Sequence, residues 1–325
     1  MEYQQSKKDF LQELIGKYCD NIDWIWIGDK SRRRVAFQID KKNRLGFFAE
    51  KTHNLIEIDK DDSLEETISA LIPDLKNFLK KQEENFYTQV QVTLFDNGLD
   101  VVFTLKREPN FAQIQQLISF AKEQNLNISY RQKEAINAVF LLRKNQIFFP
   151  DFKIDLDSDV FLQATKSGLE SIIKIIRQEN YHRVADIYAG FGAYSFAIHD
   201  LAKSVSAFEG SKKMIDLLNK NAAVNGISNK IKGFTRDIFS SPLTHKELKD
   251  FDFVIINPPR NGASPQILEI SKSSIKKLIY VSCNPQSFKR DAEILIDVGF
   301  KIKKVTAIDQ FYATKHLELV AIFEK

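Results

Sequence analysis

Two side chains in the C-terminal half of this sequence have the types and settings that covalent chemistry needs. Cys283 follows an apolar run at 278–281, inside Ser282-Cys283-Asn284-Pro285. A thiol at a strand end, in a polar run, reads as a nucleophile rather than as a small core residue. Glu318 follows His316 and sits in an otherwise apolar run at 317–323. A thiolate that adds to an electron-poor carbon, and a carboxylate that later removes a proton, make a two-step device that requires no metal. A third polar group, Asn257 of Asn257-Pro258-Pro259-Arg260, ends the apolar run 253–256. The two prolines stiffen that loop and remove backbone donors.

A ligand for these groups is suggested upstream. Val184-Ala-Asp186-Ile-Tyr188-Ala189-Gly190-Phe-Gly192-Ala193-Tyr-Ser195 reads as a buried strand that bends through two glycines into a helix. Such a turn brings backbone N–H groups close to a ligand. A second strand, 205–208, leads into Glu209, about 20 residues on, the spacing at which nucleoside-binding α/β folds hold a ribose hydroxyl. The loop has neither a Gly-x-Gly-x-x-Gly run nor a Gly-Lys-Ser/Thr ending. A nucleoside without phosphates, such as S-adenosyl-L-methionine, therefore fits better than a dinucleotide. With that cofactor, Cys283 and Glu318 have one coherent use. The C5 atom of uracil is a poor nucleophile, but a thiolate added at C6 makes an enolate whose C5 attacks an electrophilic methyl. A base then takes the C5 proton and the thiolate leaves.

The elements that must position these residues alternate. Strands are expected at 184–188, 205–208, 231–234, 253–256, 278–281, 302–308 and 317–323, preceded by a helix at about 161–178. Helical patterns separate the first six strands, so the sheet is parallel with helices on both faces. The last two strands are joined without a helix and form an antiparallel pair. The fold class is α/β: a class I methyltransferase (Rossmann-like) sheet with a closing antiparallel strand, by analogy of fold, plus an N-terminal α+β domain. That first domain, 1–158, contains a helix at 6–18, strands at 23–27 and 34–39, and a helix from a Ser63/Glu66 capping box towards Gln82, bent or divided at Pro73. It also holds a hairpin turning at Asn97-Gly98 and a helix at 111–123. The second domain is 159–325.

Composition sets outer limits. The net charge is +4 over 325 residues, which permits a nucleic-acid partner without arguing for one. Arg32, Arg33 and Arg34 could hold phosphates. There are two cysteines, Cys19 and Cys283, so neither a disulfide framework nor a four-cysteine metal site is expected, and a reducing cytoplasm is the default. The N-terminus has no apolar secretion core, and no run has the ~18 apolar residues of a membrane span.

Taken in order, Asp186-x-Tyr188-x-Gly190-x-Gly192, Glu209, Asn257-Pro-Pro-Arg260, Ser-Cys283-Asn-Pro-x-x-x-x-Arg290-Asp291 and His316-x-Glu318 resemble the RNA 5-methyluridine (uracil-C5) methyltransferase family. The likeness is strongest over 159–325 and extends more weakly back through Arg32-Arg33-Arg34 and Leu45-Gly-Phe47. It implies Cys283 as nucleophile and Glu318 as base. It also implies a cofactor-binding set of Gln163, Tyr188, Gly190, Gly192, Glu209, Asp237 and Asn257, with S-adenosyl-L-methionine as cofactor and ribosomal or transfer RNA as partner. No metal, membrane or stable protein partner is implied. Asn257 stands where the family has Asp, which keeps hydrogen bonding but removes the charge. Thr165 replaces a usual Asn, Ala189 a common Cys, and Ala193 a residue polar in some members. The family's iron–sulfur cysteines are missing, and residues before 30 leave no room for its small N-terminal β-barrel, so a trimmed member is expected. The rival readings are an amino-methyltransferase using Asn257-Pro-Pro, whose fourth residue would then be aromatic rather than Arg260, and a non-catalytic RNA-binding protein with this fold.

Overall fold

The computed structural model describes residues 2–19, 21–49, 52 and 54–325. Along the chain come α1 (Glu2–Ile15) and β1 (Ile22–Trp26), then β2 (Arg34–Ile39), β3 (Leu45–Phe48), β4 (Leu55–Glu57), α2 (Glu66–Lys80), β5 (Tyr87–Phe95), β6 (Gly98–Leu105), α3 (Phe111–Glu123), β7 (Asn127–Gln132), β8 (Ala135–Phe140), β9 (Asn145–Phe148) and β10 (Lys153–Leu156). The remainder is α4 (Lys166–Ile176), β11 (Arg183–Ile187), α5 (Ala193–Ala197), β12 (Ser204–Glu209), α6 (Lys212–Val224), β13 (Ile231–Thr235), β14 (Phe253–Ile256), α7 (Ser264–Ser271), β15 (Lys277–Ser282), α8 (Pro285–Asp297), β16 (Lys301–Asp309) and β17 (Glu318–Glu324). Two compact units result: Met1–Gly28 with Ser167–Lys325, and Asp29–Lys166.

The first unit is built on an eight-stranded sheet of order β1-β16-β17-β15-β14-β11-β12-β13. Its central strands are buried on both faces, which is why they read as unbroken apolar runs; every residue of β14 is buried. β17 alone is reversed, pairing antiparallel with both β15 and β16. This is the class I methyltransferase order, with β1 added parallel to β16 at the edge. Leu11 and Ile15 of α1 join Ile187, Ile256, Tyr280, Phe288 and Phe323 in one core. The expected division at 158/159 is thus corrected. The first 28 residues complete the sheet of the C-terminal unit, and 159–166 stay with the other one.

The second unit carries a seven-stranded sheet, β4-β3-β2-β5-β6-β7-β8. The hairpin at Asn97-Gly98 forms as read, with Phe95 opposite Gly98. α3 is capped by Asn110 and Gln113 reciprocally, and the side chains of α2 and α3 meet the sheet through Phe78, Phe103 and Phe120. The β9–β10 ladder was not legible from the sequence pattern. The Ser63/Glu66 capping box does not form. The Ser63 carbonyl accepts from Ser31 and Arg32, Leu64 bridges to Arg32, and α2 starts at Glu66 with no side-chain cap, then runs unbroken through Pro73.

Two residues of the arginine triplet, Arg33 and Arg34, are turned to their own unit. Arg33 is 2% exposed, and its Nε donates to the Gln163 carbonyl at 3.2 Å. Arg34 donates to Gln91 Oε1 at 3.1 Å and to the Val160 carbonyl at 3.4 Å, and its burial lowers the guanidinium pKa. These two guanidinium groups knit their own unit together rather than facing phosphates.

Candidate active site

In the first unit the parallel strands all end at one edge, and the order reverses around β11, which lies between β12 and β14. Ligands of open α/β sheets sit at that switch point. Asp186, fully buried near the end of β11, accepts from Ser195 N at 3.1 Å and Ser195 Oγ at 2.6 Å, fixing the entry to α5. Burial raises its carboxyl to about 6, opposed by the Ser195 bonds. Tyr188 follows with φ 61°, then Gly190 with φ 56° and Gly192 with φ 91°. The two glycines have different duties. A Cβ on Gly192 would stand 2.6 Å from Leu218 Cδ1, so Gly192 lets α6 close on the turn. A Cβ on Gly190 would meet nothing within 4 Å, so that side of the turn is open to a ligand.

Glu209 ends β12. One carboxylate oxygen accepts from Gly190 N at 3.1 Å and the other from Ser211 N at 2.9 Å. It therefore shapes the glycine turn directly. Asn257 continues β14, its N–H bonded to the Ile187 carbonyl at 3.2 Å. Asp237 is exposed just beyond β13. It accepts from the N–H groups of Phe239 and Ser240, and bonding to Ser240 lowers its pKa. Gln163 lies in the other unit, buried, its carbonyl holding Arg33.

This edge suits S-adenosylmethionine. Tyr188 Oη and Asp186 Oδ1 are buried without a hydrogen-bond partner among the described residues, a state that polar ligand groups relieve. Burial, then the charges of Asp291, Asp237 and Glu209, raises the Tyr188 phenol, so it stays a neutral donor. Glu209→Ala should weaken S-adenosylmethionine binding by about 1.5–3 kcal/mol, the range for hydrogen bonds to a charged group, and should leave Gly190 N and Ser211 N without their acceptor. Calorimetry with an unchanged affinity would remove Glu209 from the cofactor set.

Cys283 comes directly after β15. The next residue, Asn284, caps α8 by accepting from Gln286 N at 3.1 Å, and its amide donates to the Arg260 carbonyl at 2.8 Å. The thiol loop and the Asn257-Pro-Pro-Arg260 loop are tied together in this way. Burial pushes the Cys283 thiol up, the Glu318 carboxyl pushes it further, and the nearby Arg260 guanidinium opposes both. Glu318 opens β17 opposite Ile308, one step from the Leu319–Ser282 pair. It is 2% exposed and accepts from Gln310 Nε2 at 2.9 Å. Burial raises its carboxyl to about 8.

Three contributors were given no duty of their own from the sequence. Gln310 holds the Glu318 carboxyl, Arg260 faces the thiol, and Asp291 anchors the turn that follows Arg260. Asp291 accepts from Tyr280 Oη (2.7 Å), Ala263 N (2.6 Å), Ser264 Oγ (2.7 Å) and Arg290. The Arg290-Asp291 pair was visible as part of a motif, but nothing in a linear pattern shows which backbone a carboxylate will hold. Cys283, Asn284, Arg260, Gln286, Lys315 and His316 share a cavity of about 550 Å³ with residues of α1.

The strand order and the cofactor-shaped edge define a class I S-adenosylmethionine-dependent methyltransferase. The model of the tRNA (uracil-5-)-methyltransferase family matches residues 2–325, and the chain belongs to that family of RNA uracil-C5 methyltransferases. An uncharacterized RNA methyltransferase of Zymomonas mobilis is 30% identical over 91% of this chain and 75% of its own length. The 23S rRNA (uracil(1939)-C(5))-methyltransferase RlmD of Shewanella piezotolerans is 28% identical over 98% of this chain and 76% of its own. The fold matches that of the Pyrococcus abyssi tRNA (uracil-54, C5)-methyltransferase crystallised with S-adenosyl-L-homocysteine, with a TM-score of 0.77 at 22% identity over 99% of this chain and 83% of that one. Among the described residues no helix is long and apolar enough to cross a membrane.

Proposed function

We propose that this enzyme methylates C5 of a uridine through a covalent adduct between Cys283 and C6. The observation that supports it most is the reversal of β17, which starts a buried carboxyl group at the strand edge where the thiol ends its own strand. S-adenosylmethionine would be held by Tyr188, Glu209, Asn257 and the Gly190 turn and would supply an electrophilic methyl group. Arg260 favours the thiolate of Cys283. Addition forms the S–C6 bond and moves an electron pair through C5 to O4 as an enolate. The enolate pair at C5 takes the methyl group, and the pair of the broken S–CH3 bond stays on the cofactor sulfur, which leaves as a neutral thioether. C5 then carries the new methyl and its original proton. Glu318, ionised, takes that proton, the C5–C6 double bond returns, and the S–C6 pair leaves with sulfur.

A base whose pKa lies near 8 works at the edge of its range at neutral pH. Starting from the preformed methylated adduct, the rate of product release should rise about tenfold per pH unit below about 8 and level off above it. The stability effect has the opposite sign. The folded state holds the Glu318 proton more tightly than the unfolded chain, so the contribution of Glu318 is intact below the ordinary glutamate range and declines as pH rises to about 8. Urea unfolding of the unmutated protein and Glu318→Gln across that window checks this. Parallel stability curves would contradict it.

The RNA is a uridine-containing site in ribosomal or transfer RNA, with 23S rRNA placed first because RlmD relatives align over nearly the whole chain. Mapping 5-methyluridine in RNA from cells with and without the gene tests the assignment. A transfer RNA site alone changing would reverse this order, and no site changing would remove the proposal.

A further inference from the structure

The cavity beside Cys283 has a second wall that nothing in the reaction uses. Ser6, Lys7 and Phe10 of α1 line it together with Arg260, Cys283, Asn284, Gln286, Lys315 and His316. At about 550 Å³ it falls in the size class of pockets that take whole drug-sized ligands, so it has room beyond one pyrimidine ring. Its lining carries Lys7, Arg260 and Lys315 and no carboxylate. Phe10 is 37% exposed, on a helix whose other face is in the core through Leu11 and Ile15.

The wall is fixed in place. Lys7 is 6% exposed, and its Nζ donates to Asp309 Oδ1 at 2.7 Å and to the His316 carbonyl at 2.8 Å. Tyr3 Oη donates to the other oxygen of Asp309 at 2.6 Å. α1 is thereby bound to both ends of the segment between β16 and β17. With the Lys7 charge compensated by Asp309, Lys315 offers an exposed cation in the same lining.

We propose that α1 forms a subsite for a nucleotide neighbouring the target uridine, with Phe10 offering its ring to that base and Lys315 holding an adjoining phosphate. An exposed aromatic beside cations in an acid-free groove is the recognition chemistry of single-stranded nucleic acid, where each stacked base and each phosphate adds affinity. The inference rests on the proposed reaction at Cys283 for which base enters the cavity.

The test uses the full chain and a fluorescent uridine pentamer, with and without abasic sites flanking its central uridine. Phe10→Ala should weaken pentamer binding about tenfold, and Phe10→Trp should restore it. The abasic pentamer should bind the unmutated protein as weakly as the intact pentamer binds Phe10→Ala, and Phe10→Ala should not discriminate between the two. Lys315→Gln should make the salt dependence shallower by about 0.7 in log–log slope, one phosphate contact on a single strand. S-adenosylmethionine affinity and melting temperature should hold in all three variants. Equal binding of intact and abasic pentamers to the unmutated protein overturns the subsite, as does a Phe10→Ala loss that Phe10→Trp does not restore. Absence of any methylated uridine in RNA, with the pentamer pattern intact, counts instead against the proposed reaction.

Discussion

Cys283→Ala abolishes methyl transfer and the covalent enzyme–RNA species together, whereas Glu318→Gln keeps addition and methylation and accumulates a methylated adduct that survives denaturation. This is the expected result if the thiol and the carboxylate act in different steps. The glutamine is isosteric, and its carbonyl can still accept from Gln310 Nε2, which now lies 2.9 Å from Glu318 Oε2. The fold should persist while the proton acceptor is lost. General bases contribute typically about 10²–10⁴-fold, so turnover should fall by that factor while the adduct builds up. RNA containing 5-fluorouridine should trap the unmutated enzyme similarly, because fluorine does not leave as the proton does. A denaturing gel with labelled RNA compares the three proteins. Methylated product from Cys283→Ala at the normal rate would eliminate the covalent route.

Asp291→Ala should be the most destabilising single change near the site. Its carboxylate is fully buried and takes hydrogen bonds from a phenol, a hydroxyl, a backbone N–H and the Arg290 guanidinium. Removing one partner of a buried charged network costs about 3–5 kcal/mol. At about 2–4 °C per kcal/mol for a unit of this size, melting should fall by roughly 10 °C. Asp291→Asn should also suffer, because an amide NH₂ would face either Ala263 N–H or the Arg290 and Ser264 donors. Gly262, at φ 79°, leaves no room for adjustment, since a Cβ there would stand 2.5 Å from Arg290 Nη2. A melting temperature within about 2 °C of the unmutated protein would show that solvent or a rearranged loop takes over these donors.

The strands of the catalytic sheet were legible because burial on both faces leaves unbroken apolar runs such as Phe253–Ile256. The reversed β17 was legible because no helix separates it from β16. Partner choice was not legible. Trp24 and Trp26 alternate as a strand should, but alternation does not tell that Ile22–Trp26 pairs with β16 at the far end of the chain. Charge type misled at Arg33 and Arg34, since a basic run is written the same way whether it faces phosphates or buried carbonyls. The local Ser63/Glu66 signal lost to a bridge between Leu64 and Arg32. Cys283 and Glu318 could be singled out from their strand ends, yet the side chains that tune them, Arg260 and Gln310, come from other loops.

The edge position of β1 bears on how the polypeptide is made. The Asp29–Lys166 unit is an insertion between Gly28 and Ser167 of the other unit, and its strands pair within its own stretch. It can complete its folding while the ribosome is still synthesising the remainder. β1 and α1 must wait until β16 and the segment holding Asp309 have emerged, since their partners lie there. Contacts of such long sequence separation form late and slowly. Until then Trp24, Trp26 and the apolar face of α1 lack their native cover, so a segment that precedes the inserted unit is secured only after it.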